Sequence, residues 1–79
     1  MVDNITPDKT LDCKGLVCPM PILRTRKALD QMESGQILEI LGDDPATAND
    51  LPAFARNVGH EYLGSKNEEG FTRYYLKVK

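Results

Sequence analysis

Phe71-Thr72-Arg73-Tyr74-Tyr75-Leu76-Lys77-Val78-Lys79 decides the architecture of this chain. Tyr74, Leu76 and Val78 alternate with Arg73, Tyr75 and Lys77, the two-residue period of a strand whose side chains point to opposite faces. The spacing predicts a strand over Phe71 to Lys79 with one dry face and one wet face. A sheet built on such a strand needs cover on one side only. Just upstream, Asn67-Glu68-Glu69-Gly70 predicts a hairpin turn, and His60 to Lys66 the strand it joins.

Working outward, the remaining segments supply that cover. Gln36 to Leu41 places Ile37, Leu38, Ile40 and Leu41 around a single Glu39, a nearly continuous apolar run that suggests a central strand. Lys9-Thr10-Leu11-Asp12-Cys13 alternates over a shorter stretch, with Leu11 and Cys13 on one face, and Gly15 closes it. Between these two strands Pro21 to Met32 has helical spacing. Ile22, Leu29 and Met32, with Thr25 and Ala28, form its apolar side, Arg24, Lys27 and Gln31 the opposite one, and Gly35 the left-handed stop. After the central strand, Asp44 is placed to cap a helical turn with Pro45 at its first position. Pro52 should interrupt a helix running straight on from there. The expectation is a short turn and a fresh helix start at Asp50, with Leu51, Phe54, Ala55 and Val58 facing inward and Gly59 ending it. The order β-α-β-α-β-β, with apolar helix stripes for one side, predicts a two-layer α/β sandwich of the α+β kind: a mixed four-stranded sheet with both helices on one face.

Composition narrows the function. At 79 residues the chain suits one small domain, able to bury about 60% of its unfolded surface. Residues 1–8 read as a flexible lead-in and 9–79 as the domain. Ten Lys and Arg against 12 Asp and Glu give a net charge of −2, whereas a protein built to neutralise phosphates carries a basic excess. Direct nucleic-acid binding is therefore not expected. The start, Met1-Val2-Asp3-Asn4, has neither the basic nor the apolar region of an export signal, and no apolar run approaches a membrane span. Two cysteines are too few for a disulfide-stapled secreted scaffold. The expectation is a cytoplasmic monomer with no membrane contact.

Chemistry concentrates in Gly15-Leu16-Val17-Cys18-Pro19-Met20-Pro21. Cys18 stands immediately before a helix whose first turn holds Pro19 and Pro21. Each proline presets φ and removes a backbone donor, so Met20, Ile22 and Leu23 provide the free amides of that turn. A thiolate at Cys18 would meet those donors and the positive end of the helix dipole. The dipole supplies about 0.3–1 kcal/mol, and a one-unit change in a thiol pKa corresponds to about 1.4 kcal/mol. The expectation is an accessible, moderately activated sulfur. A protease-like nucleophile would need a base, and His60, the one histidine, begins a separate strand with nothing to bring it to Cys18.

Cys18-Pro19-Met20-Pro21, preceded by Leu11-Asp12 and Gly15-Leu16, resembles the Cys-Pro-X-Pro signature of the TusA/SirA-like sulfur-carrier family. The likeness runs on through Arg26-Lys27, Gly35, Asp43-Asp44-Pro45-Ala46-Thr47, Asp50-Leu51-Pro52, Gly59-His60-Glu61 and Arg73-Tyr74-Tyr75-Leu76, so it spans nearly the whole chain from Thr10. The resemblance implies the same sandwich and a persulfide carried on Cys18. It also implies transient protein partners: a sulfur donor such as a cysteine desulfurase or rhodanese-like protein, and an acceptor of the DsrE/TusD-like or another kind. Such carriers serve tRNA thiolation, cofactor assembly or cytoplasmic sulfur oxidation. They need no metal or organic cofactor, and they are sulfurtransferases only as relays, without a substrate pocket of their own.

Each remaining candidate has a plainer account beside the functional one. Cys13 could be a second thiol, giving a redox or regulatory module with Cys18, although a small packing residue is the simpler reading and the spacing is not that of a Cys-X-X-Cys pair. Cys13, Cys18 and His60 do not make up a four-ligand zinc site. Asp12 is either a solvated strand residue or an anchor of the Cys18 loop. Arg24, Arg26 and Lys27 form a basic helix surface near Cys18, suited to docking an acidic partner. Met20, between the two prolines, is a candidate partner contact.

Overall fold

The computed structural model describes residues 6–16 and 20–79. Within them the chain forms β1 (Lys9–Asp12), α1 (Met20–Asp30), β2 (Ile37–Gly42), α2 (Pro45–Val58), β3 (Glu61–Glu68) and β4 (Phe71–Lys77). The four strands make one mixed sheet in the order β1-β2-β4-β3. β1 runs parallel to β2, with Leu11 opposite Ile40 and Asp12 opposite Leu41. β4 lies antiparallel to both β2 and β3. This is the α+β sandwich that the periodicities predict.

The core lies between the sheet and the helices. Leu38 and Ile40 of β2 and Tyr74 and Leu76 of β4 meet Ala28 and Leu29 of α1 and Leu51 and Ala55 of α2 in one buried cluster. Because these strand residues are alternate ones, both helices occupy the same face of the sheet. Gly42 leaves room there: a Cβ at this position would come to 3.4 Å from the Tyr74 ring and 3.6 Å from the Thr47 methyl group.

Beyond shifts of one or two residues at the ends of β1, α1, β2 and β4, the structure departs from the sequence reading at four places. First, α2 is continuous from Pro45 through Pro52 to Val58. Asp44 caps it by accepting a hydrogen bond from the Ala46 amide at 3.1 Å, and Pro45 opens it. Thr47, Leu51 and Ala55 form one buried stripe at four-residue spacing. Breaking the helix at Asp50 would take Thr47 out of line with Leu51 and Ala55, so keeping the three packed together outweighs a proline penalty of about 3 kcal/mol. The carbonyl that Pro52 cannot bond belongs to Ala48, on the exposed side where water can satisfy it. Second, Val58 does not face inward. It is 46% exposed, at the last helical position before Gly59 turns the chain with a φ of 87°.

Third, β3 begins at Glu61 rather than His60 and reaches Glu68, so the hairpin turn shrinks to Glu69-Gly70. His60 instead completes the α2 cap, its amide donating to the Ala55 carbonyl at 2.8 Å. Its Nδ1 accepts the Lys79 amide at 3.2 Å. Fourth, Tyr75 is on the uncovered face yet only 4% exposed. Its hydroxyl donates to Glu39 Oε2 at 2.8 Å, and the same oxygen pairs with Arg73 Nη1 at 3.2 Å. Long polar neighbours do there what helices do on the other side.

Candidate functional site

The loop leaving β1 is tied down residue by residue. The Cys13 amide donates to the Leu41 carbonyl at 2.7 Å, extending the β1–β2 pairing past Asp12. Asp12 Oδ1 accepts the Lys14 amide at 3.0 Å, an anchoring turn of the kind aspartates form two residues ahead of their partner. Gly15 adopts a φ of 83°, the left-handed conformation that favours glycine. Its amide points at both carboxylate oxygens of Asp43, at 3.1 and 3.0 Å. The Lys14 ammonium sits 4.8 Å from the centre of the Phe71 ring, and the Arg73 guanidinium lies 5.3 Å from the same ring. Leu16 then packs against the core.

Of the sequence-derived candidates, Cys18 and Pro19 lie outside the described residues. α1 starts at Met20, directly after them. Met20 is 39% exposed and Leu23 is 52% exposed, so one turn of α1 offers two apolar side chains to solvent. Pro21 is buried, and its carbonyl accepts a 2.7 Å hydrogen bond from Thr25 Oγ1. Arg24 and Lys27 join Lys9 along a groove of about 200 Å³ between α1 and β1, above Leu11 and Ala28. Arg26 does not share that groove. It lines a second one with Leu29, Asp30, Phe54, Val58 and His60, since residues two apart on a helix point to opposite sides. The basic surface read from the sequence is thus divided between two grooves.

Cys13 is fully buried and carries no disulfide. Burial pushes its thiol pKa up; the Arg24 charge pulls it partly back, and Asp12 adds to the rise. Both effects of burial, lost access and lost thiolate, lower its reactivity. No described helix is long and apolar enough to cross a membrane.

Asp43 and Phe71 were not singled out in the sequence as neighbours of the loop, nor Lys9 as a neighbour of Arg24 and Lys27 or Leu23 as an exposed apolar residue. A signal for Asp43 exists: parallel strands end side by side, so the residue after β2 belongs next to the loop after β1. Phe71 carries no comparable signal, because its approach to Lys14 depends on β4 inserting between β2 and β3.

The described residues thus form a two-layer sandwich in which β1 runs into a fastened turn at Lys14-Gly15 and α1 begins at Met20. The chain belongs to the TusA family: the model described as "Sulfurtransferase TusA" matches residues 9–78. The sulfur carrier protein TusA of Allochromatium vinosum is 44% identical over 70 residues, covering 89% of this chain and 92% of that one. YrkI of Bacillus subtilis is 46% identical over 70 residues, covering 89% and 93%. The crystal structure of a SirA-like protein from Desulfitobacterium hafniense matches with a TM-score of 0.73 at 30% identity, covering 87% of this chain and 95% of that one.

Proposed function

We propose that this chain accepts sulfur as a persulfide on Cys18 and relays it to an acceptor protein. In the first step the Cys18 thiolate attacks the terminal sulfur of a donor persulfide. A new S–S bond forms, the donor's S–S bond breaks, and the donor leaves as a thiolate. In the second step a thiolate of the acceptor attacks the terminal sulfur on Cys18, which leaves as a thiolate in turn. Each exchange moves one sulfur atom with no external oxidant or reductant.

The observation that carries this reading is the start of α1. An 11-residue helix opens two positions after Cys18, with no acidic residue in its first turn. Its amides and dipole favour an anionic sulfur in the thiolate and persulfide states alike. Exposed Met20 and Leu23 supply apolar contact for visiting proteins. Arg24 and Lys27 add the charge that would steer an acidic partner surface, with small, transient interfaces expected. A donor of the cysteine desulfurase or rhodanese type and a cytoplasmic acceptor complete the proposal, in a compartment that keeps thiols reduced. The competing reading, a Cys13–Cys18 redox pair, is disfavoured by the burial of Cys13.

Mass spectrometry after incubation with a cysteine desulfurase and L-cysteine, or with a thiosulfate-loaded rhodanese, tests the carrier reading. The wild-type protein should gain one sulfur atom, mapped to Cys18, and Cys18→Ser should gain none. Undiminished labelling of Cys18→Ser would overturn it.

A further inference from the structure

We propose that Asp43 is a positioning residue for sulfur transfer: by holding the Gly15 amide it sets the path along which the chain leaves the sheet toward Cys18. The proposal rests on the carrier reading above and adds to it a residue that does not touch the sulfur. Asp43 is well placed for the task because its own backbone is held on both sides. Gly42 before it is the last residue of β2, in register with Thr72 of β4. Asp44 after it caps α2 through the Ala46 amide. A carboxylate mounted between a strand end and a helix cap is a stiff support.

The contact joins residues 28 apart in sequence, and both carboxylate oxygens share the one Gly15 amide. Charge-assisted hydrogen bonds of this kind are stronger than neutral ones. A Cβ at Gly15 would meet nothing within 4 Å, so the glycine is needed for its backbone angle and not for space. The turn at residue 15 is therefore set by conformation and by Asp43 together. Asp12 fixes the preceding amide, and Phe71 restrains the Lys14 side chain. Gly15 is the last residue before Cys18 whose amide a charged group on another element holds among the described contacts. Asp43 is exposed, and its contact buries little apolar surface, so its effect falls on the direction of the loop more than on global stability. Direction matters because a relay presents one sulfur to two proteins in turn, and each exchange needs attacking and leaving sulfurs in line.

The test compares wild type, Asp43→Asn and Asp43→Ala, first confirming by urea unfolding that each is folded. Three rates are read: sulfur uptake from thiosulfate-loaded rhodanese and from a cysteine desulfurase with L-cysteine, alkylation of Cys18 by iodoacetamide, and hydrogen exchange of the Gly15 amide. A small misplacement remote from the chemistry can slow a reaction up to about 100-fold, so a fall of about tenfold in sulfur uptake is expected for Asp43→Ala, with iodoacetamide alkylation within about twofold of wild type. Gly15 exchange should accelerate. Asp43→Asn keeps one acceptor oxygen and should fall between the two. Uptake at the wild-type rate in a folded Asp43→Ala protein would overturn the proposal, as would uptake and alkylation falling in step. If wild type itself gains no sulfur from either donor, the carrier reading fails, and the role of Asp43 in transfer fails with it. Loss confined to the Asp43 variants separates the two.

Discussion

The two faces of this sheet bury their residues by different means. Beneath the helices, Leu38, Ile40 and Leu76 are fully buried among apolar neighbours. On the opposite face, which no helix of the described residues covers, Glu39 is 6% exposed and Tyr75 4%. That burial is built from polar contacts. Glu39 accepts Thr10 Oγ1 at 3.0 Å through one oxygen, and Tyr75 and Arg73 through the other. Arg73 Nε also reaches Glu68 at 3.4 Å. Thr10, Glu39 and Tyr75 stand in register across β1, β2 and β4, so neighbouring strands supply the cover. Accessible area alone would rank Leu38 and Glu39 together. Their energetics differ, because apolar burial is favourable in itself, whereas a buried carboxylate is tolerated only while its partners stay in place.

Substitution can break this comparison. The largest effect is expected beneath the helices: Leu38→Ala should destabilise the protein by about 2–5 kcal/mol, since the lost transfer energy is joined by a cavity. Urea denaturation read by circular dichroism measures it. Glu39→Ala on the open face should have a smaller effect, about 1–3 kcal/mol, mostly from leaving the Tyr75 hydroxyl without its acceptor. Equal losses at the two positions would mean that the open face is a second core in energetic terms. No loss at Glu39 would mean that its contacts only offset the desolvation of its charge.

A subtler difference lies in alkaline solution. Burial, and then the Glu39 hydrogen bond and charge, push the Tyr75 hydroxyl from its ordinary 10.0 up to about 12. Below pH about 10, folded and unfolded chains both keep the proton, and stability is unaffected. Between pH about 10 and about 12 the unfolded chain ionises first, so stability falls as pH rises. Tyr74 and Cys13, on the helix-covered side, are shifted upward by burial and act in the same direction. Tyr75→Phe should therefore flatten part of the alkaline loss, and denaturation midpoints collected across that pH range would show it. An unchanged pH profile would place the whole effect beneath the helices.

Most of the fold is legible in local pattern. The inward facing of Tyr74 and Leu76 in β4, the helical spacing of Thr25, Ala28 and Leu29, and the capping of a helical turn by Asp44 with Pro45 behind it each depend on near neighbours, and each is found as read. Pro52 misleads because its local penalty is real and yet smaller than the burial gained by the stripe through Leu51 and Ala55. Tyr75 misleads for a related reason: strand alternation says which face a side chain takes, but not what its neighbours will do there. Around the loop, Asp12 could be suspected as an anchor because its partner is two residues away. Asp43 has no such local sign: its partner follows the neighbouring strand, and only the parallel pairing of β1 with β2 brings the two together.

The order of residues alone therefore determined the order of the elements, the dry side of the sheet, and the start of α1 close behind Cys18 in the chain. Those properties arise from periods of two to four residues and from the fixed geometry of proline and glycine. Only the tertiary structure decided which aspartate holds the loop, how the basic residues of α1 divide between two grooves, and why a tyrosine and a glutamate are buried without a helix above them. Those outcomes depend on strand order and register, which bring distant residues together and leave no local trace in the chain.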